Sequence, residues 1–122
     1  MGYYANGSGG ITFARELKLE ERNQIENILD GAWFDLDFFD SQTKALSHNP
    51  HGPIGVDVWQ DEKYHGEEVI AALNAIAAIA PIQEGRLTYV GEDDSHWRFL
   101  YKQIDRKWHE QDGYVVYRED PA

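Results

Sequence analysis

Cysteine is absent from the 122 residues, which excludes disulfides, thiolate zinc sites and cysteine nucleophiles. The absence fits an intracellular protein. Positive charge is scarce: 11 Lys and Arg stand against 22 Asp and Glu, a formal net charge of −11. Phosphate backbones are held by Lys and Arg, so direct nucleic-acid binding is not expected. Long apolar runs are missing too. The longest, Val69 to Ile82, is interrupted by Asn74 and Pro81 and is too short to span a bilayer. Met1 to Gly10 has neither the basic region nor the apolar stretch of a signal peptide. Residue 6 is Asn where an N-myristoylation signal needs Ser or Thr. These absences predict a cytoplasmic protein with no membrane partner.

Motifs that carry chemistry are equally sparse. The glycines from Gly7 to Gly10 precede a predicted strand and lack the Lys-Ser/Thr pair, so they do not make a phosphate loop. Ser8, Ser41, Ser47 and Ser95 lie in loops without a nucleophile elbow. His48 and His51 are three apart, but in a loop, without the helix and glutamate of a zinc protease. His96 and His109 could face each other across two strands. Asp35, Asp37, Asp40 and Asp57, joined by Asp61 and Glu62, could bind magnesium or calcium. The solvated face of an antiparallel strand pair is the commoner role for such a row. No cofactor and no catalytic residue are predicted, and the chain is read as a non-enzyme.

What is present is a globular composition, 42% hydrophobic and 13% aromatic, in a length suited to one domain over residues 1–122. Ile11 and Phe13 alternate in a first strand, from about Gly10 to Arg15, after a flexible Gly7–Gly10 lead-in. Leu17 to Asp30 has a helical apolar face, and Gly31 is the expected left-handed stop. In Trp33 to Asp40, Phe34, Leu36 and Phe38 point one way and Asp35 and Asp37 the other. A polar loop, Ser41 to Pro53, leads to a strand over Ile54–Trp59 and then a charged connection, Gln60 to Gly66. Glu67 to Ala80 is an alanine-rich second helix, ended by Pro81. Strands follow over Gly85–Val90, Trp97–Lys102 and Gly113–Tyr117. The order β-α-β-β-α-β predicts an α+β protein with a ferredoxin-like core. Two helices would cover one face of an antiparallel sheet. The core would span about 10–91 and a C-terminal β-meander about 96–118.

Two sets of side chains could meet a partner. Glu92, Asp93 and Asp94 form an acidic hairpin tip suited to lysines and arginines. Asp35, Asp37 and Asp57 share a sheet face with Trp59, and Trp33, Trp59 or Trp97 could act as apolar anchors. Aromatics on such a sheet could also stack RNA bases, but the interleaved charges are aspartates where phosphate contact needs cations.

A small, cysteine-free, acidic α+β chain with aromatic-studded strands resembles phage-encoded inhibitors of bacterial defence, anti-CRISPR proteins above all. Met1-Gly2-Tyr3-Tyr4 and the string Gly91-Glu92-Asp93, Trp97-Arg98 and Gly113-Tyr114-Val115-Val116-Tyr117 also look like small phage and actinobacterial proteins. The resemblance implies a protein partner with a basic, nucleic-acid-binding surface in the cytoplasm of a bacterial host. Glu92, Asp93, Asp94, Trp97, Asp35, Asp37, Asp57 and Trp59 would be the contact residues. A small enzyme, or a ligand- or metal-binding domain using the open sheet face, is the other reading.

Overall fold

The computed structural model describes residues 3–39 and 53–112. Within them the chain runs β1 (Tyr4–Phe13), α1 (Leu19–Gly31), β2 (Asp35–Phe39), β3 (Gly55–Lys63), α2 (Gly66–Ile79), β4 (Ile82–Gly91), β5 (His96–Lys102) and β6 (Lys107–Asp112). The strands form one open sheet in the order β2-β3-β1-β4-β5-β6, every neighbour antiparallel. The architecture is therefore mixed α+β. The first strand in sequence sits inside the sheet, with β3 on one edge and β4 on the other.

Strand alternation divides the side chains between two faces. Ile11, Phe13, Phe38, Val56, Val58 and Leu87 point to one face and are buried. Ile25 and Leu29 of α1 and Val69, Leu73 and Ile76 of α2 belong to the same buried cluster. Both helices therefore cover that face. The other face, carrying Asp35, Asp37, Asp57 and Trp59, is left to solvent. Among the described residues no helix is long and apolar enough to cross a membrane.

Several boundaries differ from expectation. The strand expected from Gly10 begins at Tyr4, so the glycines Gly7, Gly9 and Gly10 lie inside it. Gly7 and Gly9 are there because their neighbours leave no room. A Cβ on Gly7 would stand 2.6 Å from Cζ of Tyr89, and one on Gly9 2.8 Å from the carbonyl carbon of Arg86. The expected connection after Trp59 is strand as far as Lys63, because it pairs with the early part of β1. The third strand of the meander is Lys107–Asp112. The strand expected over Gly113–Tyr117 and, Pro53 apart, the loop expected over Ser41 to Pro53 lie outside the described residues.

The stop of α1 is also displaced. Gly31 ends the helix, but the left-handed residue is Trp33, with φ 67°. Phe34 N–H donates to the Leu29 carbonyl (3.0 Å) and Trp33 N–H to that of Asp30 (3.1 Å). This is the paired bonding of a Schellman ending, with tryptophan in glycine's usual place.

The meander is not an addition to a finished core. Trp97, Phe99 and Trp108 all lie in the main buried cluster. The Trp97 ring stacks on Tyr89 with centroids 5.4 Å apart, and its Nε1 donates to the Tyr64 hydroxyl at 3.0 Å. Burial pushes the Tyr64 hydroxyl up to about 12. Deeper in, the Tyr89 hydroxyl donates to Oε1 of Gln60. Gln60 Nε2 donates in turn to the Ala32 carbonyl at 3.1 Å. One buried amide thus ties β4, β3 and the end of α1 together, with its polar atoms satisfied as burial demands.

Candidate binding surface

The open face is built in rows that cross the strands. Gly10 pairs with Asp57 on one side and Arg86 on the other. Asp37 lies beyond Asp57, and Leu100 beyond Arg86. The neighbouring row runs Asp35, Trp59, Ser8, Thr88, Arg98. Along the middle, β1 contributes only Asn6, Ser8, Gly10 and Thr12 beyond Tyr4. Small residues therefore floor a trough, with taller side chains on both flanks. The small residue at Gly10 lets the Asp57 carboxylate lean over β1: a Cβ there would be 3.0 Å from its Oδ1. At that end a depression of about 220 Å³ is lined by Gly10, Asp57, Glu84 and Arg86, and by Phe39. Phe39 is buried on this face because Gly55 leaves space beneath its ring.

Charge is segregated across the face. On the β2–β3 side stand Asp35, Asp37, Asp57 and Asp61, with Lys63 at the strand end. On the β4–β6 side stand Arg86, Arg98, Lys102 and Lys107, with Glu84 at one margin. Among the described residues, acids and bases therefore match one for one here, in a chain where acids outnumber bases 22 to 11. Among the described residues, Asp35, Asp37, Asp57 and Arg86 form no ion pair. Arg98 is engaged within the chain: its Nε donates to Oε1 of Gln111 at 3.0 Å.

Of the residues singled out from sequence, Asp35, Asp37, Asp57 and Trp59 are brought together. Asp35 pairs with Trp59, and Asp37 with Asp57. Trp59 is 40% exposed. Trp33, 45% exposed, lies two residues before Asp35, its ring tilted by 30° against that of His65 with centroids 4.5 Å apart. Trp97 is a different case. At 7% exposed it is held between Tyr89 and Tyr64, so it presents no ring to a partner. Its alternation with Phe99 and Tyr101 marks the core face of β5.

The acidic tip lies elsewhere. Glu92 N–H donates to the Tyr4 carbonyl at 3.0 Å, which places the tip beyond the Tyr4 end of β1. Asp57 pairs with Gly10, six residues along, so roughly 20 Å separates the two sets at strand rise. Within the tip, Asp93 accepts from the Tyr3 hydroxyl and from Ser95 N–H (3.1 Å). The Tyr3 hydroxyl, and then Ser95, hold its carboxyl below the ordinary aspartate range. Asp94 takes the left-handed turn position, φ 69°. Asp93 is thus turn chemistry, and Glu92 and Asp94 remain exposed.

His96 and His109 do not face one another: His96 pairs with Val90, and His109 with Leu100. Among the described residues no three His, Asp or Glu side chains converge as a metal site would require. No sequence motif marks the basic half of the face. Its signal was the alternation Arg86-Thr88-Val90 and Arg98-Leu100-Lys102, which sets cations on one face. Comparison with protein-family models, curated proteins and solved structures finds no match to this chain.

Proposed function

We propose that the chain is a non-enzymatic binding protein that meets a basic protein surface through the β2–β3 half of its open face. The exposed Trp59, set beside Asp35 and between Asp57 and Asp61 on the same strand face, carries this reading. Tryptophan in a ring of polar residues is the usual makeup of an interface anchor. Carboxylates that form no ion pair among the described residues add steering and select a cationic surface. An inhibitor of the anti-CRISPR kind, occupying the nucleic-acid-binding surface of a bacterial defence effector, suits the −11 charge. The order β2-β3-β1-β4, with two helices on one face, supports reading the first four strands as a ferredoxin-like core.

The test is a pull-down from the native host with the wild-type chain and the Trp59→Ala and Asp35→Lys/Asp57→Lys variants. Capture of a nuclease or nucleoprotein effector by the wild type, lost in both variants, is the expected result. Equal capture by all three would sink the reading. The depression beside Gly10 favours the second reading, a small-ligand site on the same face. A rise of several degrees in melting temperature with magnesium, calcium or zinc, or with a small zwitterion, would move the assignment there.

A further inference from the structure

We infer that the open face is also the contact between two copies of this chain, related by a two-fold axis running parallel to β1. A rotation about such an axis, in the plane between the faces, preserves position along the strands and exchanges the two sides of the sheet. Asp57 and Arg86 stand one strand out from Gly10 on opposite sides. Asp35 and Arg98 stand two strands out from Ser8 on opposite sides. The rotation therefore sets Asp57 against Arg86 of the second copy and Asp35 against its Arg98, each contact occurring twice. Trp59 falls over the second copy's Thr88, a small partner for a large ring. An axis across the strands would set acid on acid, so charge selects the first arrangement.

Two further features of the molecule point to the same occupant. A chain with net charge −11 repels its own copies over most of its surface. The open face, where acids and bases balance among the described residues, is where that repulsion is lifted. Tyr4, Trp59 and Val90, three of the exposed large apolar residues, also lie on this face around the small Asn6 and Ser8. The extent is adequate. Five strands about 4.8 Å apart, from five to ten residues long at about 3.3 Å each, cover roughly 650 Å². That is close to the ~800 Å² per partner of a standard interface.

The inference rests on the proposed reading only in taking the open face as a contact surface. Sedimentation velocity on the full chain tests it. The wild type should pass from the 14.0 kDa monomer to twice that mass as concentration rises. Asp57→Lys and Arg86→Glu should each weaken the dimer roughly tenfold or more. Mixed in equal amounts, the two variants should pair with one another, since each reversed charge then meets its opposite. Far-UV circular dichroism of both variants separates lost pairing from lost fold. If both fail to fold, Trp59→Ala replaces them and should weaken the dimer. A wild type that stays at monomer mass up to about 1 mM, which is weaker than specific association, overturns the inference. So does a folded variant pair that does not re-form a dimer. A monomer that still captures a basic partner through Asp35 and Asp57 overturns only the dimer. A dimer that captures nothing leaves the dimer standing and removes only the partner.

Discussion

The ring of Tyr89 occupies the space that any side chain at residue 7 would need, and its hydroxyl ends on Oε1 of Gln60. Gly7→Ala must therefore displace a ring that is held at both ends. Overpacking of this kind costs about 1–3 kcal/mol. Urea denaturation should show the loss as a lower midpoint with an unchanged slope.

Two adjacent glycines should respond differently to the same substitution. At Gly9 the new Cβ would meet the backbone of Arg86 and Leu87, both at 2.8 Å from their nearer carbon atoms, and a strand backbone cannot step aside. At Gly10 it would meet only the end of the Asp57 side chain, 3.0 Å away, which can turn. Gly9→Ala is expected to destabilise severely, and Gly10→Ala to cost under about 1 kcal/mol, within the range of ordinary surface changes. Thermal melts of the pair would contradict this if the order were reversed.

Tyr89→Phe removes the donor to Gln60 and leaves a buried carbonyl oxygen without a partner, at a cost of about 1–3 kcal/mol. Adding Gln60→Leu to that variant should cost less than Gln60→Leu does in the wild type, because the orphaned oxygen disappears with it. A double-mutant cycle that came out additive would show that the two groups do not act as a unit.

Trp33 holds a left-handed backbone, which is unfavourable by roughly 1–2 kcal/mol for residues other than glycine. Trp33→Gly should therefore gain up to about 1 kcal/mol, after the loss of the ring contact with His65 is set against it. If Trp33 contributes to the contact beside Trp59, the same variant should bind its partner less well. Greater stability together with weaker binding would mark it as an anchor kept for function. Lower stability would show that the ring serves the fold.

Acid should act through Glu21. The Arg15 guanidinium donates to both its oxygens, at 2.8 and 2.9 Å, and holds its pKa near 2, below the ordinary 4.5. A carboxyl depressed in the folded state contributes stability that is complete above its ordinary value and lost as pH falls through its folded one. The contribution should thus decline between about pH 4.5 and 2. Arg15→Gln should lower stability by a constant amount above about pH 6 and flatten the profile between pH 4.5 and 2, so that variant and wild type converge in acid.

Some of this architecture is written plainly in the sequence. Along Phe34 to Phe38 and Val56 to Trp59, apolar and acidic or aromatic residues strictly take turns. Alternation alone therefore separates core face from open face. Both helices announce themselves by their apolar stripes. The early half of β1 does not, because Tyr4 to Gly10 has poor strand propensity. It is strand only because the two neighbouring strands close around its small residues, a fact of tertiary context. β6 is hidden for a related reason: as an edge strand it buries Trp108 alone, too little for a period to show. Trp97 illustrates a different limit. Its face could be read from spacing, but spacing does not say which face the helices cover. The pairing of Asp57 and Arg86 across Gly10 needs the register, which no single strand contains.

The central place of β1 bears on how the molecule forms. Every residue it pairs with lies more than forty positions further along the chain, on both edges. No hairpin can nucleate it, so its hydrogen bonds wait for the closure of two long loops. Such contacts make folding slow for a chain of this length. Until β3 and β4 arrive together, a glycine-rich segment has nothing to hold it extended. A chain cut between α2 and β4 would leave β1 paired on one side only, turning the floor of the surface on which both proposed contacts depend into a bare sheet edge.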